Sequence, residues 1–265
     1  MDAPEIVAND FLELSSEQRL QIVLRLLENR SKISVMAKEL GATMPEVYRN
    51  FERLVKADII RKNSDDYYSL TPYGKMLCSQ IPAMVFVSTN KNYFKNHDFG
   101  NIPTKFVQRM GALASGKYYK GFTRVIEKWR EICENANEYL YDILYEEPLE
   151  LMEPVVNKAK KGVKINSIFS PSSIIPKDRK QIADKLGVKK LVEDGLIERK
   201  IKDGLQVVVV LNEKEACVMF PTANGETDMS GTFYSNDPSF HEWCLDYFRY
   251  CWHGSDTFQE SKLKQ

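Results

Sequence analysis

The sequence lacks the features of disulfide-rich and membrane-spanning proteins. Its 265 residues include five cysteines, an odd and scattered set that argues against a disulfide framework and fits a reducing cytoplasm. No apolar run approaches the roughly 18 residues that read as a membrane span. The first residues also lack the basic and then apolar layout of a signal peptide. We therefore expect a cytoplasmic protein without a membrane partner.

Signatures of catalysis and of cofactor binding are missing as well. The chain has no glycine-rich phosphate loop, no Gly-x-Ser-x-Gly elbow and no paired-carboxylate arrangement. We expect no enzymatic activity and no cofactor. Basic and acidic residues balance at 37 each, so the basic surplus common in DNA-binding proteins is absent overall. A local basic patch would still suffice for DNA binding.

The first third of the chain has the pattern of a helix-turn-helix. An amphipathic helix that ends near Asn29 is indicated by apolar residues at i, i+3, i+4 and i+7, namely Leu20, Val23, Leu24 and Leu27. A shorter helix ends at Gly41, a residue favoured at helix C-termini. Thr43 and Glu46 have the spacing of a capping box, and Pro45 suits a first helical turn. A third helix is therefore predicted from this point to about Ala57.

A hairpin and another helix are predicted next. Ile59–Lys62 and Tyr67–Leu70 read as short strands, and Asn63–Asp66 between them has turn chemistry. Thr71 then serves as an N-cap, with Pro72 at the first helical position. The order helix, helix-turn-helix, hairpin and helix predicts a winged helix.

This order resembles the winged-helix regulators of bacteria and archaea, the arsenic-repressor-like group in particular. The resemblance is carried by Val47–Phe51 with Leu54, by Ala57–Ile60 and by Leu70–Gly74. Many relatives have glycine where Asp58 stands, and aspartate tolerates the left-handed conformation better than most residues. The resemblance implies a DNA-binding domain over residues 1–80.

In such a domain the third helix enters the major groove. Arg49 is the strongest candidate for a base contact, because its fork can pair with guanine, and Tyr48 would reach a thymine methyl or a phosphate. The complete predicted DNA-contacting set is Thr43, Pro45, Glu46, Tyr48, Arg49, Asn50, Arg53, Lys56, Arg61 and Lys62. Within it, phosphate contacts are expected from Asn50, Arg53 and Lys56, and contacts from the hairpin to the DNA backbone or minor groove from Arg61 and Lys62. The competing interpretation is an ordinary solvated helix face.

The rest of the chain is predicted to form a helical connector over residues 81–134 and an α/β sheet domain over residues 135–265. In the sheet domain, the strand Tyr139–Leu144, a helix that Pro148 begins, and the strand Val163–Phe169 follow one another. This succession favours a parallel strand pair. The predicted fold class is therefore a two-domain α+β or α/β protein with a winged helix at the N-terminus.

A second resemblance covers nearly the whole chain. The residues Tyr93–Asp98, Ile102–Pro103, Ala159–Lys164, Phe233–Pro238 and Trp243 are similar to the archaeal methanogenesis-regulatory-protein family. The C-terminal layout is also similar to the phospholipase D-like fold of archaeal sugar-responsive regulators. The His-x-Lys signature of phospholipase D chemistry is absent, because the residues two positions after the three histidines are Phe99, Trp243 and Ser255. The resemblance implies an archaeal regulator whose C-terminal domain senses an effector or mediates assembly.

Two sets of residues in the sheet domain are weaker candidates for ligand sites. The segment after the strand Val163–Phe169 places Phe169, Ser170, Ser172 and Arg179 where ligands bind in α/β sheets, although an ordinary polar loop has the same pattern. A tetrahedral zinc site is suggested weakly by His241, Cys244, Cys251 and His253. The alternative is that these cysteines are small core residues, and we expect no metal.

The function predicted from the sequence is therefore transcriptional regulation. The protein would bind double-stranded operator DNA as a homodimer, and a small-molecule effector or a partner would act on the C-terminal domain. Dimerisation is expected because operators have two half-sites and because amphipathic helices remain outside the winged helix. The alternative is an interaction module whose winged helix docks proteins.

Overall fold

The computed structural model describes residues 2–174 and 176–263. The chain divides into two compact units, an N-terminal unit over Met1–Met84 and a C-terminal unit over Val85–Gln265. Within the described residues, no helix combines the length and the apolar character needed to cross a membrane.

The N-terminal unit contains helices and one hairpin. Its elements are α1 (Ala3–Leu14), α2 (Glu17–Glu28), α3 (Ile33–Leu40), α4 (Met44–Lys56), β1 (Ile60–Lys62), β2 (Tyr68–Leu70) and α5 (Pro72–Cys78), and α6 (Ile81–Thr89) contains the division between the units. Helices α2 to α5 and the antiparallel hairpin confirm the element predictions for this part of the sequence. Helix α1 was not predicted, and none of its residues is buried.

Local chemistry fixes the turn between α3 and α4. Gly41 ends α3 in the left-handed conformation, with φ of 60°. At the start of α4, the Glu46 carboxylate accepts hydrogen bonds from the Thr43 backbone N–H at 3.0 Å and from the Thr43 hydroxyl at 2.7 Å. The predicted capping interaction is therefore present, and it fixes where α4 begins.

A small apolar core holds α4 against α2 and the hairpin. Val47, Phe51 and Leu54 line the buried face of α4 and have no exposed surface. The ring of Phe51 meets the ring of Tyr68 on β2 edge to face, with centroids 4.7 Å apart. This packing fixes α4 and the hairpin relative to each other, so the opposite face of α4 stays at the surface.

Thr71 and Gly74 join the end of the hairpin to the start of α5. The buried Thr71 hydroxyl donates to the backbone oxygen of Asp58 at 2.6 Å and accepts from the Gly74 N–H at 2.9 Å. Asp58 itself has φ of 56°, the left-handed conformation expected at this position. Gly74 lies so close to Ile59 that a Cβ atom there would be 1.9 Å from the Ile59 backbone oxygen.

The C-terminal unit is built on one eight-stranded sheet. Its strands are β3 (Lys117–Lys120), β4 (Tyr139–Glu146), β5 (Lys164–Ile174), β6 (Ile197–Ile201), β7 (Val208–Asn212), β8 (Ala216–Met219), β9 (Gly231–Ser235) and β10 (Asp256–Thr257). Its helices are α7 (Thr104–Gln108), α8 (Phe122–Asn135), α9 (Leu149–Lys160), α10 (Arg179–Leu186), α11 (Val188–Glu193) and α12 (Pro238–His253), with short 3-10 turns at Met110–Leu113 and Glu260–Lys262. The strand order is β10-β6-β5-β4-β7-β8-β9-β3.

The sheet is mixed. Strands β4, β5 and β6 are parallel to one another, whereas every other pair in the sheet is antiparallel. The parallel pairing of β4 with β5 confirms the strand-helix-strand prediction. One face of the central strands packs in a common core with α8, α9 and α11.

Two predictions in this region are wrong. The connector over residues 81–134 is not purely helical, because Lys117–Lys120 forms strand β3 and pairs with β9 at the edge of the sheet. The segment after Phe169 is not a loop, because β5 continues to Ile174. In both places the pairing partner is distant in the sequence, so a local pattern did not reveal the strand.

Several residues of the segments that resemble the methanogenesis-regulatory-protein family pack together in an aromatic core. The Tyr93 ring packs edge to face on Phe233 with centroids 5.0 Å apart, and its hydroxyl donates to the Phe220 backbone oxygen at 3.1 Å. The indole N–H of Trp243 donates to the Phe106 backbone oxygen at 3.0 Å. These residues therefore hold the fold together.

The close approach of Gly74 to Ile59 generates a stability prediction. We expect Gly74→Ala to destabilise the N-terminal unit by about 3 kcal/mol, because the added methyl group would collide with rigid backbone. Thermal and urea unfolding would measure the change. The neighbouring exposed change Lys75→Ala serves as the control and should stay within about 0.5 kcal/mol of the wild type. Equal stability of the two variants would contradict the described contact.

Candidate nucleic-acid interface

One stripe of α4 is free to meet a ligand. Tyr48, Arg49, Glu52 and Lys56 follow one another at helical spacing and are all exposed. Within the described part of the chain, the Arg49 guanidinium and the Lys56 amine have no hydrogen-bond or ion-pair partner. Pro45 lies at the N-terminal end of the same stripe. The predicted base-reading residue, Arg49, is thus exposed and unpaired on this stripe.

A second flank of α4, which includes Asn50 and Arg53, contacts α1 and α2. These two residues were expected to contact phosphates. The Arg53 guanidinium donates to both carboxylate oxygens of Glu13 on α1, at 3.0 and 2.7 Å. The Asn50 amide contacts Gln18, and its oxygen accepts from Arg19 on α2 at 3.4 Å. Their polar atoms are therefore used inside the unit, and they orient α4.

Electrostatics follow from these contacts. The hydrogen bond from Arg53 and the positive charges of Arg53 and Arg19 hold the pKa of Glu13 below its usual value, although burial opposes the shift. Hydrogen bonding to Glu52 raises the pKa of the Tyr48 phenol, so this hydroxyl stays protonated. The Thr43 hydroxyl and backbone likewise lower the pKa of Glu46. Glu46 therefore stays ionised at the N-terminus of α4, where negative charge is favourable.

The hairpin adds two cationic side chains beside α4. Arg61 and Lys62 on β1 are exposed, and Lys62 forms an ion pair with Asp66 at 2.8 Å. Tyr48, Glu52, Lys62 and Tyr68 border one shallow surface depression between helix and hairpin. The structure thus brings Tyr48, predicted to contact DNA from α4, and Lys62, predicted to contact DNA from the hairpin, to one surface.

Two further cations, Arg30 and Lys32, lie beside the hairpin and were not predicted. The Arg30 guanidinium lies 4.6 Å from the centroid of the Tyr67 ring, and the Lys32 amine lies 4.9 Å from it. Ser31 pairs with Tyr68 as an isolated β-bridge, which attaches this segment to β2. The sequence offered only a short basic cluster before α3, without any sign that it adjoins the hairpin.

The predicted ligand residues of the sheet domain separate into two groups. Phe169 and Arg179 line a cavity in the C-terminal unit. Ser170 is buried, its hydroxyl lies 2.7 Å from the Ser172 hydroxyl, and its backbone N–H donates to the Ser173 hydroxyl at 3.0 Å. Ser170 and Ser172 therefore stabilise β5 and do not border that cavity.

The suggested zinc ligands do not form a site. Cys244 and Cys251 are both buried on α12, seven positions apart and thus about 10 Å apart along the helix axis. His241 has its Nε2 atom 2.6 Å from the Asn212 backbone oxygen. Burial raises the pKa of the Cys251 thiol to about 11, so it stays protonated. Among the described residues, no group of three or more His, Cys, Asp or Glu side chains is arranged to hold a metal ion.

Comparisons with known proteins find only remote structural likenesses. No protein-family model and no curated protein matches the chain. The structure of TrmBL2, an archaeal chromatin protein, is 11% identical with a TM-score of 0.42, over 92% of this chain and 94% of that one. NucT from Helicobacter pylori is 12% identical with a TM-score of 0.42, over 54% of this chain and 98% of that one. Nuc from Salmonella typhimurium, a phospholipase D family member, is 12% identical with a TM-score of 0.39, over 55% and 99%. Structural similarities as remote as these do not indicate a function.

The Arg53–Glu13 pair generates a pH prediction. Because the folded pKa of Glu13 is lowered, the pair should contribute stability at pH 7 that is lost as the pH falls through that folded value. We expect Arg53→Ala to melt at a lower temperature than the wild type at pH 7, and the difference to vanish at an acidic pH below the lowered pKa of Glu13.

Circular dichroism melts at both pH values would measure this effect. Glu13→Gln is the reciprocal variant, and it should show at least as large a difference at pH 7, because Glu13 also pairs with Arg19 at 3.5 Å. A difference that persists unchanged in acid would show that the pair makes no pH-dependent contribution.

Proposed function

We propose that the protein is a DNA-binding transcriptional regulator and that its N-terminal unit is a winged helix. The observation that carries this proposal is the exposed stripe of α4, on which Arg49 and Lys56 are unpaired within the described residues, beside the cationic strand β1. Helices α3 and α4 are joined by a three-residue turn that begins with Gly41, as in helix-turn-helix motifs. In this proposal α4 is the recognition helix and β1–β2 is the wing.

The stripe suits a major groove, which admits one α-helix and offers base edges to side chains. Arg49 can give both N–H groups of its fork to a guanine, whereas Lys56 would act on phosphates as a point charge. Arg61 and Lys62, with Arg30 behind them, would reach the phosphate backbone from the wing. The Arg53–Glu13 pair would hold α4 in the orientation that presents Arg49. The proposal assigns no catalysis to the protein.

A homodimer is part of the proposal, and helix α1 supports it. Ile6, Val7, Phe11 and Leu12 on α1 are all about half exposed, at 48 to 59%. An exposed apolar surface of this kind is typical of an interaction site. We propose that a second copy of the chain covers this surface of α1. A dimer would present two recognition helices to DNA. It would therefore double a DNA interface in which acidic side chains offset part of the positive charge.

The DNA-binding proposal is tested first at Arg49. Arg49→Ala should weaken binding to duplex from the region upstream of the protein's own gene by about 1–3 kcal/mol. Arg49→Lys should keep the salt dependence but lose the preference for that duplex over random DNA, because lysine lacks the fork. Fluorescence anisotropy over a range of salt concentrations would measure both effects.

Two further variants serve as controls for the Arg49 experiment. Lys56→Ala should weaken binding to all sequences alike and reduce the salt slope by about one. Arg25→Ala removes a cation that pairs with Glu39 at 2.9 Å, and it should bind DNA like the wild type. Absence of any sequence-selective binding by the wild-type dimer would favour protein docking by the winged helix.

The dimer is tested at Phe11. Phe11→Glu places a charge in the apolar surface of α1, so we expect light scattering to show a monomer where the wild type is a dimer. Val35→Glu makes the same change at an exposed valine of α3 and should leave the dimer intact. A wild-type monomer at micromolar concentration would exclude this part of the proposal.

A further inference from the structure

A cavity in the C-terminal unit contains polar side chains that the fold does not satisfy. Strands β7, β4, β5 and β6 form its floor, and α8, α9 and α10 form its roof. About 90 Å³ of the cavity is open to the centre of a water molecule. A single water needs about 10–15 Å³ on that measure, so a compact organic molecule fits.

A row of polar residues crosses the floor of the cavity. The strand register pairs Asp142 on β4 with Ser167 on β5, and Ser167 with Arg199 on β6. The rows on either side are apolar and buried: Leu140, Ile165 and Ile197 on one side, and Leu144, Phe169 and Ile201 on the other. A polar row within an apolar core is costly unless every member finds a partner.

Two members of this row, Asp142 and Arg199, each keep a buried side-chain atom without a partner in the described part of the chain. Within the described residues, the buried side-chain atoms without a hydrogen-bond partner are Asp142 Oδ1, Arg199 Nε and Trp129 Nε1. All three residues border this one cavity. Asp142 is 6% exposed, and Trp129, which also faces the weakly accepting Cys217 thiol, is 2% exposed. Three residues that each keep an unpaired buried atom thus border one cavity.

The neighbouring ion pairs leave Arg199 without a direct partner among the described residues. The Arg179 guanidinium pairs with Glu147, and with Glu260 at 2.9 Å, so Arg179 engages both nearby carboxylates. Arg199 has no ion pair among the described residues, and its guanidinium lies 4.4 Å from the centroid of the Phe258 ring. An arginine stays protonated even where burial lowers its pKa, as it does here.

Asp142 does not supply an ion-pair partner for Arg199 at neutral pH. Burial raises the pKa of its carboxyl to about 8, against a lowering by the Ser167 hydroxyl, and the charge of Glu147 raises it further. The titratable or charged groups around it are Cys133, Glu147, Arg179, Arg199 and Glu260. In its acid form Asp142 offers a hydroxyl, so Asp142, Arg199 and Trp129 are then all hydrogen-bond donors.

We propose that this cavity binds a small monocarboxylate with a compact apolar body, whose oxygens accept hydrogen bonds from Arg199, Trp129 and Asp142. The apolar body would lie against the aliphatic lining, which includes Leu151, Val156 and Val188. The carboxylate would give Arg199 the direct hydrogen-bond partner that it lacks among the described residues. This inference goes beyond the proposed function and does not depend on DNA binding.

The first test compares three molecules that share one body and differ in the head group. Isovalerate, isoamyl alcohol and isoamylamine would be titrated into the full chain at pH 7 without DNA, and binding would be followed by calorimetry and ligand-observed NMR. Isovalerate should bind at least about tenfold more tightly than the other two, because charge-assisted hydrogen bonds are the strong ones. Preference for the amine or the alcohol, or no binding of all three, would overturn the proposal.

The second test changes the cavity itself. Arg199→Met should weaken isovalerate binding at least about tenfold, since it keeps the length of the side chain and removes the charge. Ala183→Leu should block binding by filling the cavity from α10. The exposed Lys180→Met on the same helix is the matched control and should bind like the wild type. Unchanged binding in Arg199→Met and Ala183→Leu would show that isovalerate binds elsewhere, and it would overturn the assignment of this cavity as a carboxylate site.

The third test separates a ligand role of Asp142 from a structural one. Affinity for isovalerate should fall as the pH rises through about 8, because ionised Asp142 repels a carboxylate. Asp142→Asn stays neutral, so it should bind with an affinity that no longer falls there. Asp142→Leu should lose binding yet melt at a higher temperature, because an unpartnered buried carboxyl is removed. A pH profile identical in the wild type and Asp142→Asn would contradict the role given to Asp142.

Discussion

Buried polar groups need hydrogen-bond partners, and both units of this protein are organised around that requirement. In the N-terminal unit, the buried Thr71 hydroxyl meets this requirement because it donates to the Asp58 backbone oxygen and accepts from the Gly74 N–H. In the C-terminal unit, the fully buried Asn212 donates to the Ile132 backbone oxygen at 2.8 Å and accepts from Glu215 N at 3.0 Å. The row that begins at Asp142 breaks this rule, and the exception is what marks the cavity.

Helix α4 divides its surface among three tasks. One face, centred on Phe51, packs into the core and fixes the depth of the helix. The flank with Arg53 is tied to α1, which fixes its rotation. Among the residues that the structure describes, the stripe with Arg49 remains exposed and makes none of these contacts. The apparent shortage of positive charge in the sequence is therefore a matter of distribution, because some cations orient the helix and others remain exposed.

Sequence reasoning succeeded where the signals are local and failed where they are not. Helices α4 and α2 were predictable because their signals lie within a few residues of sequence. These signals are the capping pair of Thr43 and Glu46 for α4 and the apolar spacing for α2. Strand β3 was missed because Lys117 pairs with Tyr234, far along the chain. Arg53 was assigned to DNA because nothing near it in sequence reveals Glu13. The polar row of the cavity exists only through strand register, which no local pattern encodes.

The division of the sheet at β4 also has a consequence for the order of folding. Strands β7 and β8 form a hairpin with a short connection, so their pairing closes a small loop and can occur early. Strands β4, β5 and β6 are parallel, and each pairing must wait for a crossover that contains helices. Long loop closure slows such pairing. The parallel strands, which hold most of the cavity floor, therefore close longer loops than the β7–β8 hairpin does, and we expect them to pair later than that hairpin.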